Sequence, residues 1–161
     1  MDGTRPPVLM SDIDMDGKLP SVVISDIDGT IAIIDHRVHL AQAGDWESFH
    51  FFAKDDKANE GARSVLKLFS EYGYEIVLIS GRPIKWKGET ELWLKLHGIH
   101  YDHLFLRPST CYDPDPVFKQ QVWQSHLVDR DIVFAIEDRD QTVEMWRDVG
   151  IDCWQISKGQ Y

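Results

Sequence analysis

Two aspartates one residue apart, Asp26 and Asp28, follow a short run of β-branched residues and precede Gly29 and Thr30. Adjacent carboxylates at the end of a buried strand repel each other unless a cation offsets their charge. Mg²⁺ suits such a place, because it takes one or two carboxylates together with phosphate and water oxygens. The pattern therefore predicts phosphoryl transfer, with Asp26 attacking phosphorus to form an aspartyl-phosphate and Asp28 acting as the acid and then the base. Gly29 would let the chain turn so that backbone N–H groups face the phosphate.

Two further polar groups follow later apolar runs of the same kind. The carboxyl ends of parallel strands meet at one edge of a sheet, so we expect both groups to lie close to Asp26. The first group is Ser80, Gly81 and Arg82, after the run 75–79, and the second is Glu137 and Asp138, after the run 132–136.

These positions predict a metal site and a phosphate site. We expect Asp26 and Asp138 to bind Mg²⁺ through their carboxylates, and Asp28 to add its backbone carbonyl. Transfer through a loose transition state depends mainly on positioning and charge stabilisation, so the phosphoryl group also needs polar and cationic partners. The predicted phosphate and substrate contacts are Thr30, Ser80, Gly81, Arg82 and Lys119.

Apolar runs typical of buried strands alternate with stretches of helical periodicity after residue 20. Units of this size predict an α/β fold: a three-layer, doubly wound parallel sheet with helices on both faces. Residues 1–20, interrupted by glycines and prolines, are expected to form a flexible tail before one domain at 21–161. The predicted strands are 21–25, 75–80, 104–106, 132–136 and 153–156, and the predicted helices are 59–72, 89–97, 117–127 and 141–149.

The net charge of the chain limits the kinds of partner that it can bind. The 161 residues carry a formal net charge of −10, whereas a protein that grips a long stretch of nucleic acid needs a basic surface. Contact with a short nucleic-acid end or a nucleotide is the more consistent expectation.

No apolar run approaches the roughly 20 residues of a membrane span, and residues 1–7 lack the apolar core of a secretory signal. We therefore expect a cytoplasmic protein with no membrane partner and with Cys111 and Cys153 as reduced thiols.

The combination of these motifs resembles the haloacid-dehalogenase superfamily of phosphotransferases. The motifs run from Asp26 to Asp138, nearly the whole globular part of the chain. The resemblance implies the Rossmann-like sheet of that superfamily and a Mg²⁺-dependent phosphatase. The segment between Arg37 and Asn59 is too short for a large cap domain, so we expect none.

The stretch from 135 to 155 resembles the 3′-phosphatase domain of the phage polynucleotide kinase-phosphatase family. This resemblance implies removal of 3′-phosphates from DNA or RNA ends, and it adds Arg37 and Asp115 to the predicted substrate-binding residues beside Arg82. The sequence departs from that family in lacking a Gly-x-x-x-x-Gly-Lys-Ser/Thr loop, so no 5′-kinase activity is expected. It also has Glu137-Asp138 where the family has two aspartates. Since glutamate is one methylene longer, we assign metal binding to Asp138 and a supporting position behind the metal ligands to Glu137.

Two alternatives stay open at this level. A 5′- or 3′-nucleotidase, or another small-molecule phosphomonoesterase, would use the same chemistry, and a lid over the site would favour it. A metal-binding module without catalysis is the other alternative, although every acidic and basic position that the mechanism needs is present. DNA versus RNA preference, cyclic phosphate ends and oligomeric state are not determined by the sequence.

Two further local patterns suggest ligands other than the phosphoryl group. Trp86 lies in a basic and aromatic stretch, 82–87, and could stack on a terminal base. Asp12, Asp14 and Asp16 imitate the start of a calcium loop, but Val23 stands at the twelfth position, where an acidic ligand is required. We interpret this segment as part of a solvated tail.

Overall fold

The structure, a computed structural model, describes residues 18–159 and residue 161. Its centre is a sheet of five parallel strands in the order β5-β4-β1-β6-β7. The strands are β1 Val22–Ser25, β2 Ala32–Ile33, β3 Lys57–Ala58, β4 Glu75–Pro83, β5 His103–Arg107, β6 Ile132–Glu137 and β7 Cys153–Gln155. The helices are α1 Val38–Gln42, α2 Trp46–Phe51, α3 Glu60–Glu71, α4 Lys87–Leu96, α5 Asp115–His126 and α6 Asp140–Asp148.

Helices cover both faces of the sheet because alternate strand residues point to opposite sides. On one side Val23 and Leu78 pack in a buried cluster with Leu66 of α3 and Trp93 of α4. On the other side Ile24 and Val77 belong to a second cluster, which is completed by α5 and α6. The predicted three-layer α/β fold is confirmed.

A compact insert follows β1, and the sequence analysis predicted no helix or strand within it. It consists of the antiparallel pair β2–β3, the short helices α1 and α2, and a 3₁₀ turn at Phe52–Asp55. Ile34, Val38, Ala41 and Phe49 form its own small buried cluster. Helices of five and six residues have too few turns to produce a readable periodicity.

Each predicted helix and strand is present, and its first and last residues lie within about three residues of the predicted ones. The largest difference is at the end of β4, which continues through Ser80, Gly81 and Arg82 to Pro83. The predicted strand 75–80 was therefore too short, and Gly81 and Arg82 lie within β4 and not after it, since pairing of Pro83 with Arg107 keeps the segment extended after a register shift. The segment Ile84–Trp86 is a 3₁₀ turn leading into α4.

Residues 1–17, which include the aspartates of the calcium-loop pattern, lie outside the described residues. The helices in the described part are all too short or too polar to cross a membrane. Cys111 and Cys153 are free thiols, and burial raises the pKa of Cys153 to about 12.

Candidate active site

The predicted site residues gather at the carboxyl edge of the central strands. β1 lies between β4 and β6, so the ends of these three strands meet at one place. The backbone N–H of Asp26 donates to the carbonyl of Ile136 at 3.0 Å, which ties the end of β1 to the end of β6. The position of the acidic pair thus follows from the parallel pairing of two chain segments more than 100 residues apart.

The carboxylate of Asp26 is held from both of its oxygens. Lys119 Nζ donates to Oδ1 at 2.8 Å, and the hydroxyl of Thr30 donates to Oδ2 at 3.1 Å. Lys119 is 1% exposed and also contacts Glu137 and, at 3.1 Å, Asp115. Burial lowers the pKa of such an ammonium, but the three carboxylates outweigh it and hold the pKa of Lys119 well above its ordinary value. Lys119 is therefore cationic at neutral pH beside the predicted nucleophile.

Acidic oxygens suited to a metal ion lie close to Asp26. One carboxylate oxygen each from Asp26, Glu137 and Asp138 can be chosen so that all three lie within 4.8 Å of one another. Asp138 Oδ1 is buried without a hydrogen-bond partner in the described structure. Burial and then the charge of Asp26 raise the pKa of Asp138 to about 7, as expected for two carboxylates buried close together.

Glu137 differs from Asp138 in that both of its oxygens already have partners. Oε1 contacts Lys119, and Oε2 accepts the backbone N–H of Asp138 at 3.0 Å. Burial raises the pKa of Glu137 well above its ordinary value, and Lys119 opposes that rise. The carboxylates of Asp26 and Asp138 fit a hard divalent cation, with Asp138 offering the unpaired oxygen and Glu137 contacting Lys119 and the backbone of Asp138.

Gly29 is required by the close approach of the two acidic motifs. Its φ is +85°, and a Cβ at this position would lie 2.3 Å from Asp138 Oδ2. A larger residue would therefore displace the carboxylate that has the unpaired oxygen, or strain the turn.

Asp28 is surrounded by two arginines. Arg37 Nη2 contacts Asp28 Oδ1, while Arg82 donates from Nε at 3.0 Å and from Nη2 at 2.7 Å. Burial raises the pKa of Asp28, but Arg82 and Arg37 override burial and hold this pKa well below its usual range. The predicted proton donor is thus an ionised partner of both arginines in this structure.

A second aspartate, Asp56, also contacts both arginines, and the sequence analysis did not assign it a role. We call Asp28, Arg37, Asp56 and Arg82 the charge cluster. Arg37 donates to Asp56 from Nε at 2.7 Å and from Nη2 at 2.5 Å, and Arg82 Nη2 lies 3.5 Å away. The remaining nitrogens also have acceptors: Arg37 Nη1 donates to the carbonyl of Phe49 at 3.1 Å, and Arg82 Nη1 to the hydroxyl of Thr90 at 3.2 Å. The positive charges of the two buried arginines are therefore offset by the negative charges of the two buried aspartates.

The residues near the end of β4 contact another arginine, Arg107, which was not among the predicted site residues. Arg107 donates from Nε to the carbonyl of Gly81 at 3.3 Å and from Nη2 to Asp115 at 3.1 Å. A Cβ on Gly81 would lie 2.6 Å from Asp115 Oδ1. Ser80 is buried, and its hydroxyl accepts the backbone N–H of Arg82 at 3.3 Å. Arg107 thus connects the end of β4 to Asp115, one turn before Lys119 on α5.

A cavity of about 560 Å³ opens above these residues. Its lining includes the predicted residues Asp26, Asp28, Ser80, Gly81 and Asp115. Trp46, Tyr112 and Tyr161 also line it, and Tyr112 is 91% exposed, so the cavity opens to solvent. Arg139 lines it as well and lies with its guanidinium 4.1 Å from the ring of Tyr161.

All predicted site residues lie in this region, but their chemical roles remain predictions. The side chains of Arg37, Arg82 and Lys119 are at most 2% exposed and bind protein carboxylates, and Thr30 binds Asp26. Their predicted contacts with a phosphoryl group would need the substrate to compete for those donors. Asp56, Arg107, Arg139 and Trp46 were missed as site residues, because a contact between distant segments has no local signal in the sequence.

Solved structures similar to this chain support the same fold. Two chains, from structures described as the Pnkp1/Rnl/Hen1 RNA repair complex and the Pnkp1/Rnl/Hen1 complex, are each 28% identical to it, with TM-scores of 0.78 and 0.77. The matches cover 100% and 97% of this chain but 48% and 52% of the others, so this chain spans about half their length.

More distant structures share the fold alone. The Class C acid phosphatase from Bacillus anthracis matches with a TM-score of 0.63 and 18% identity, over 91% of this chain and 70% of its own. A putative β-phosphoglucomutase from Thermotoga maritima matches with a TM-score of 0.60 and 16% identity, over 88% and 87%.

The comparison with protein families covers almost all of the described chain. Residues 20–161 match the family described as the polynucleotide kinase PNKP phosphatase domain. The paired aspartates after β1, the buried lysine and the acidic turn after β6 provide the groups that phosphomonoester hydrolysis needs. The chain belongs to the family of PNKP phosphatase domains, which are phosphoric monoester hydrolases of the haloacid-dehalogenase type.

Proposed function

We propose that this chain is a Mg²⁺-dependent phosphatase that removes 3′-phosphates from the ends of DNA or RNA. The observation that carries the proposal is the position of Asp26, a buried carboxylate on an open cavity that contacts the cationic Lys119 and lies close to the acidic turn at Asp138. Family membership and the 28% identity to Pnkp1 chains support a nucleic-acid end as the substrate.

In the first step a carboxylate oxygen of Asp26 attacks phosphorus, and the bond from phosphorus to the 3′-oxygen breaks. Asp28 gives its proton to the departing 3′-oxygen, which leaves as a hydroxyl group, and the phosphoryl group stays on Asp26. In the second step water attacks phosphorus, the bond from phosphorus to the Asp26 oxygen breaks, and Asp28 takes the water proton. The products are inorganic phosphate and free Asp26, with Asp28 again protonated.

Asp28 must exchange its hydrogen-bond partners before these two reaction steps can proceed. In this structure Arg37 and Arg82 donate to its carboxylate. An anionic phosphoryl group beside Asp26 would compete for the same guanidinium donors, since charge-assisted bonds to phosphate are strong and two-pronged. Once the arginines donate to the phosphoryl oxygens instead, the pKa of Asp28 rises, and its carboxylate takes up a proton from solvent, which it then gives to the 3′-oxygen in the first step.

Mg²⁺ would be held by the carboxylates of Asp26 and Asp138, and when bound it neutralises charge on the phosphoryl oxygens. The unpaired buried oxygen of Asp138 is the feature that supports this donor set. Lys119 keeps Asp26 oriented through its hydrogen bond to Oδ1, and Glu137 in turn accepts from Lys119.

A nucleotidase remains the second candidate, because the insert forms one wall of the cavity. Trp46, Phe49 and His50 of α2 all line it, and such a wall would also enclose a mononucleotide. The cavity is nevertheless open at Tyr112, so a chain that continues beyond the terminal nucleotide has a way out.

A substrate panel separates these functions. One oligonucleotide would be prepared with a 3′-phosphate, a 5′-phosphate or a 2′,3′-cyclic end, in both DNA and RNA forms where the chemistry allows, and compared with nucleoside 3′- and 5′-monophosphates. We expect phosphate release with Mg²⁺ from the 3′-phosphorylated ends at the highest kcat/KM, and none with Asp26→Asn. Fast hydrolysis of the mononucleotides beside inert oligonucleotides would refute the proposal and leave the nucleotidase.

A further inference from the structure

One side of the cavity is built from aromatic rings, which we call the aromatic wall: Trp46, Phe49, His50 and Tyr161. Trp46 lies at its centre, with ring centroids 5.7 Å from Phe49, 6.4 Å from His50 and 6.1 Å from Tyr161. Phe49 is buried, whereas Trp46, which also lines the cavity, is 48% exposed. A large aromatic side chain that lines a cavity and remains half exposed is a place where another flat group can pack.

The aromatic wall is joined directly to the charge cluster around Asp28. The guanidinium of Arg37 lies 4.0 Å from the centroid of the Phe49 ring, and its Nη1 donates to the Phe49 carbonyl at 3.1 Å. The edge of Phe49 in turn meets Trp46, at an interplanar angle of 81°. The short helix α2 thus fixes the exposed indole relative to the groups that surround the phosphoryl position.

The chemistry of the wall suits an uncharged ring more than a second anion. Burial lowers the pKa of His50 to about 4, so its imidazole is neutral near pH 7. Arg139, the cation beside Tyr161, already lies against the face of that ring. A phosphoryl group at Asp26 fills only a small part of a cavity of about 560 Å³, and the open volume continues to Trp46.

We propose that Trp46 is the stacking platform for the nucleobase of the terminal nucleotide whose phosphate Asp26 attacks. This inference rests on the proposed function and specifies how the site would recognise its substrate. It also differs from the sequence-based hypothesis for Trp86, which does not belong to the described lining of the cavity and whose ring centroid lies 6.5 Å from that of His50. Stacking of a base on an aromatic side chain contributes about 1–3 kcal/mol and tolerates any base.

The test compares two substrates that differ only in the base. One is an oligonucleotide with a 3′-phosphate on a normal terminal nucleoside, and the other carries the same phosphate on an abasic terminal sugar. In the wild-type protein we expect KM for the abasic end to be about tenfold higher or more. In Trp46→Ala this ratio should fall toward one, with kcat on the normal end changed less than threefold, and Trp46→Phe should restore most of the preference.

Phe51 provides a matched control. It lies on the same helix and has the same exposure of 48%, but it is outside the described cavity lining. Phe51→Ala should keep the wild-type ratio between the two ends. The proposal is refuted if Trp46→Ala lowers kcat/KM equally on both ends, or if Tyr112→Ala removes the base preference while Trp46→Ala keeps it.

Failure of the proposed function would give a different result. If wild-type protein releases no phosphate from either oligonucleotide but hydrolyses nucleoside 3′-monophosphates, the polynucleotide substrate is wrong. The stacking platform is then tested by the same variants on a nucleoside 3′-monophosphate against ribose 3-phosphate. A ratio that is unchanged by Trp46→Ala in that pair refutes the platform independently.

Discussion

Arg37 and Asp56 form a two-point ion pair in the interior, with Nε donating to Oδ1 at 2.7 Å and Nη2 to Oδ2 at 2.5 Å. Both side chains are 0% exposed. The backbone carbonyl of Asp56 is held by the indole N–H of Trp93 at 2.9 Å, so α4 fixes the aspartate and the aspartate fixes the arginine. The pair explains how a compact insert after β1 contributes to a site at the end of β1.

Asp56→Asn should therefore weaken both the fold and the reaction. Removing one charge from a buried ion pair leaves the other uncompensated, at a cost on the order of 3 kcal/mol. We expect the free energy of unfolding, measured by urea denaturation, to fall by about that amount, and kcat to fall by about tenfold or more because Arg37 loses its orientation. Asp55→Asn, at the exposed neighbouring position, is the control and should change the free energy of unfolding by less than about 0.5 kcal/mol. Equal behaviour of the two variants would contradict the role given to Asp56.

Asp26→Asn should abolish turnover while preserving the fold. The amide cannot attack phosphorus, so we expect kcat to fall by at least about a thousandfold. Acid quenching with a labelled phosphate ester should trap a phosphoprotein in the wild type and none in the variant. Asp148→Asn, at an exposed position on α6, should behave as wild type. Retention of the labelled phosphoprotein in Asp26→Asn would overturn the mechanism.

Removal of Mg²⁺ should stop the reaction, and Asp138 should link metal binding to pH. The pKa of Asp138 is raised from 3.8 to about 7, so in the metal-free fold this group holds a proton that the unfolded chain releases near pH 4. Its contribution to stability is fully present below about pH 4 and is lost as pH rises through about 7. His50, whose pKa is lowered to about 4, acts in the opposite direction between pH 6.5 and 4, so the wild-type curve alone is not diagnostic.

The comparison with Asp138→Asn isolates this effect. In the presence of a chelator, the difference in unfolding free energy between variant and wild type should grow in favour of the variant from pH 5 to pH 8, by roughly 2 kcal/mol or more. Mg²⁺ should stabilise the wild type at pH 8 far more than the variant, as measured by thermal denaturation. A pH-independent difference, or equal stabilisation of both proteins by Mg²⁺, would contradict the assignment of Asp138 as a metal ligand.

Gly81→Ala should reduce activity through Asp115. Its Cβ would lie 2.6 Å from Asp115 Oδ1, and the carboxylate must then move away from Arg107 and Lys119. We expect kcat to fall about tenfold in a phosphatase assay. Gly88 on α4 is the matched control, since a Cβ there meets nothing within 4 Å. Gly88→Ala should leave kcat unchanged and stabilise the helix by up to about 1 kcal/mol.

The sequence by itself determined the central layer of this protein and the acidic groups at its edge. Buried β-branched runs such as Val22–Ile24 and long amphipathic helices such as α3 have a period that can be read locally. Parallel pairing then places every strand end at the same edge, which is why Asp26, Ser80 and Asp138 could be grouped from the sequence alone.

Only the tertiary structure decided what surrounds those groups. The short helices α1 and α2 have no readable period, yet they bring Trp46 and Phe49 to the cavity. Asp56 and Arg107 were ordinary charged residues in the sequence, because an ion pair is a relationship between distant segments and leaves no signal in either one. Whether an arginine faces solvent or lies buried between two carboxylates depends on the packing of the insert against the sheet, and at Arg37 that packing places the guanidinium between Asp28 and Asp56.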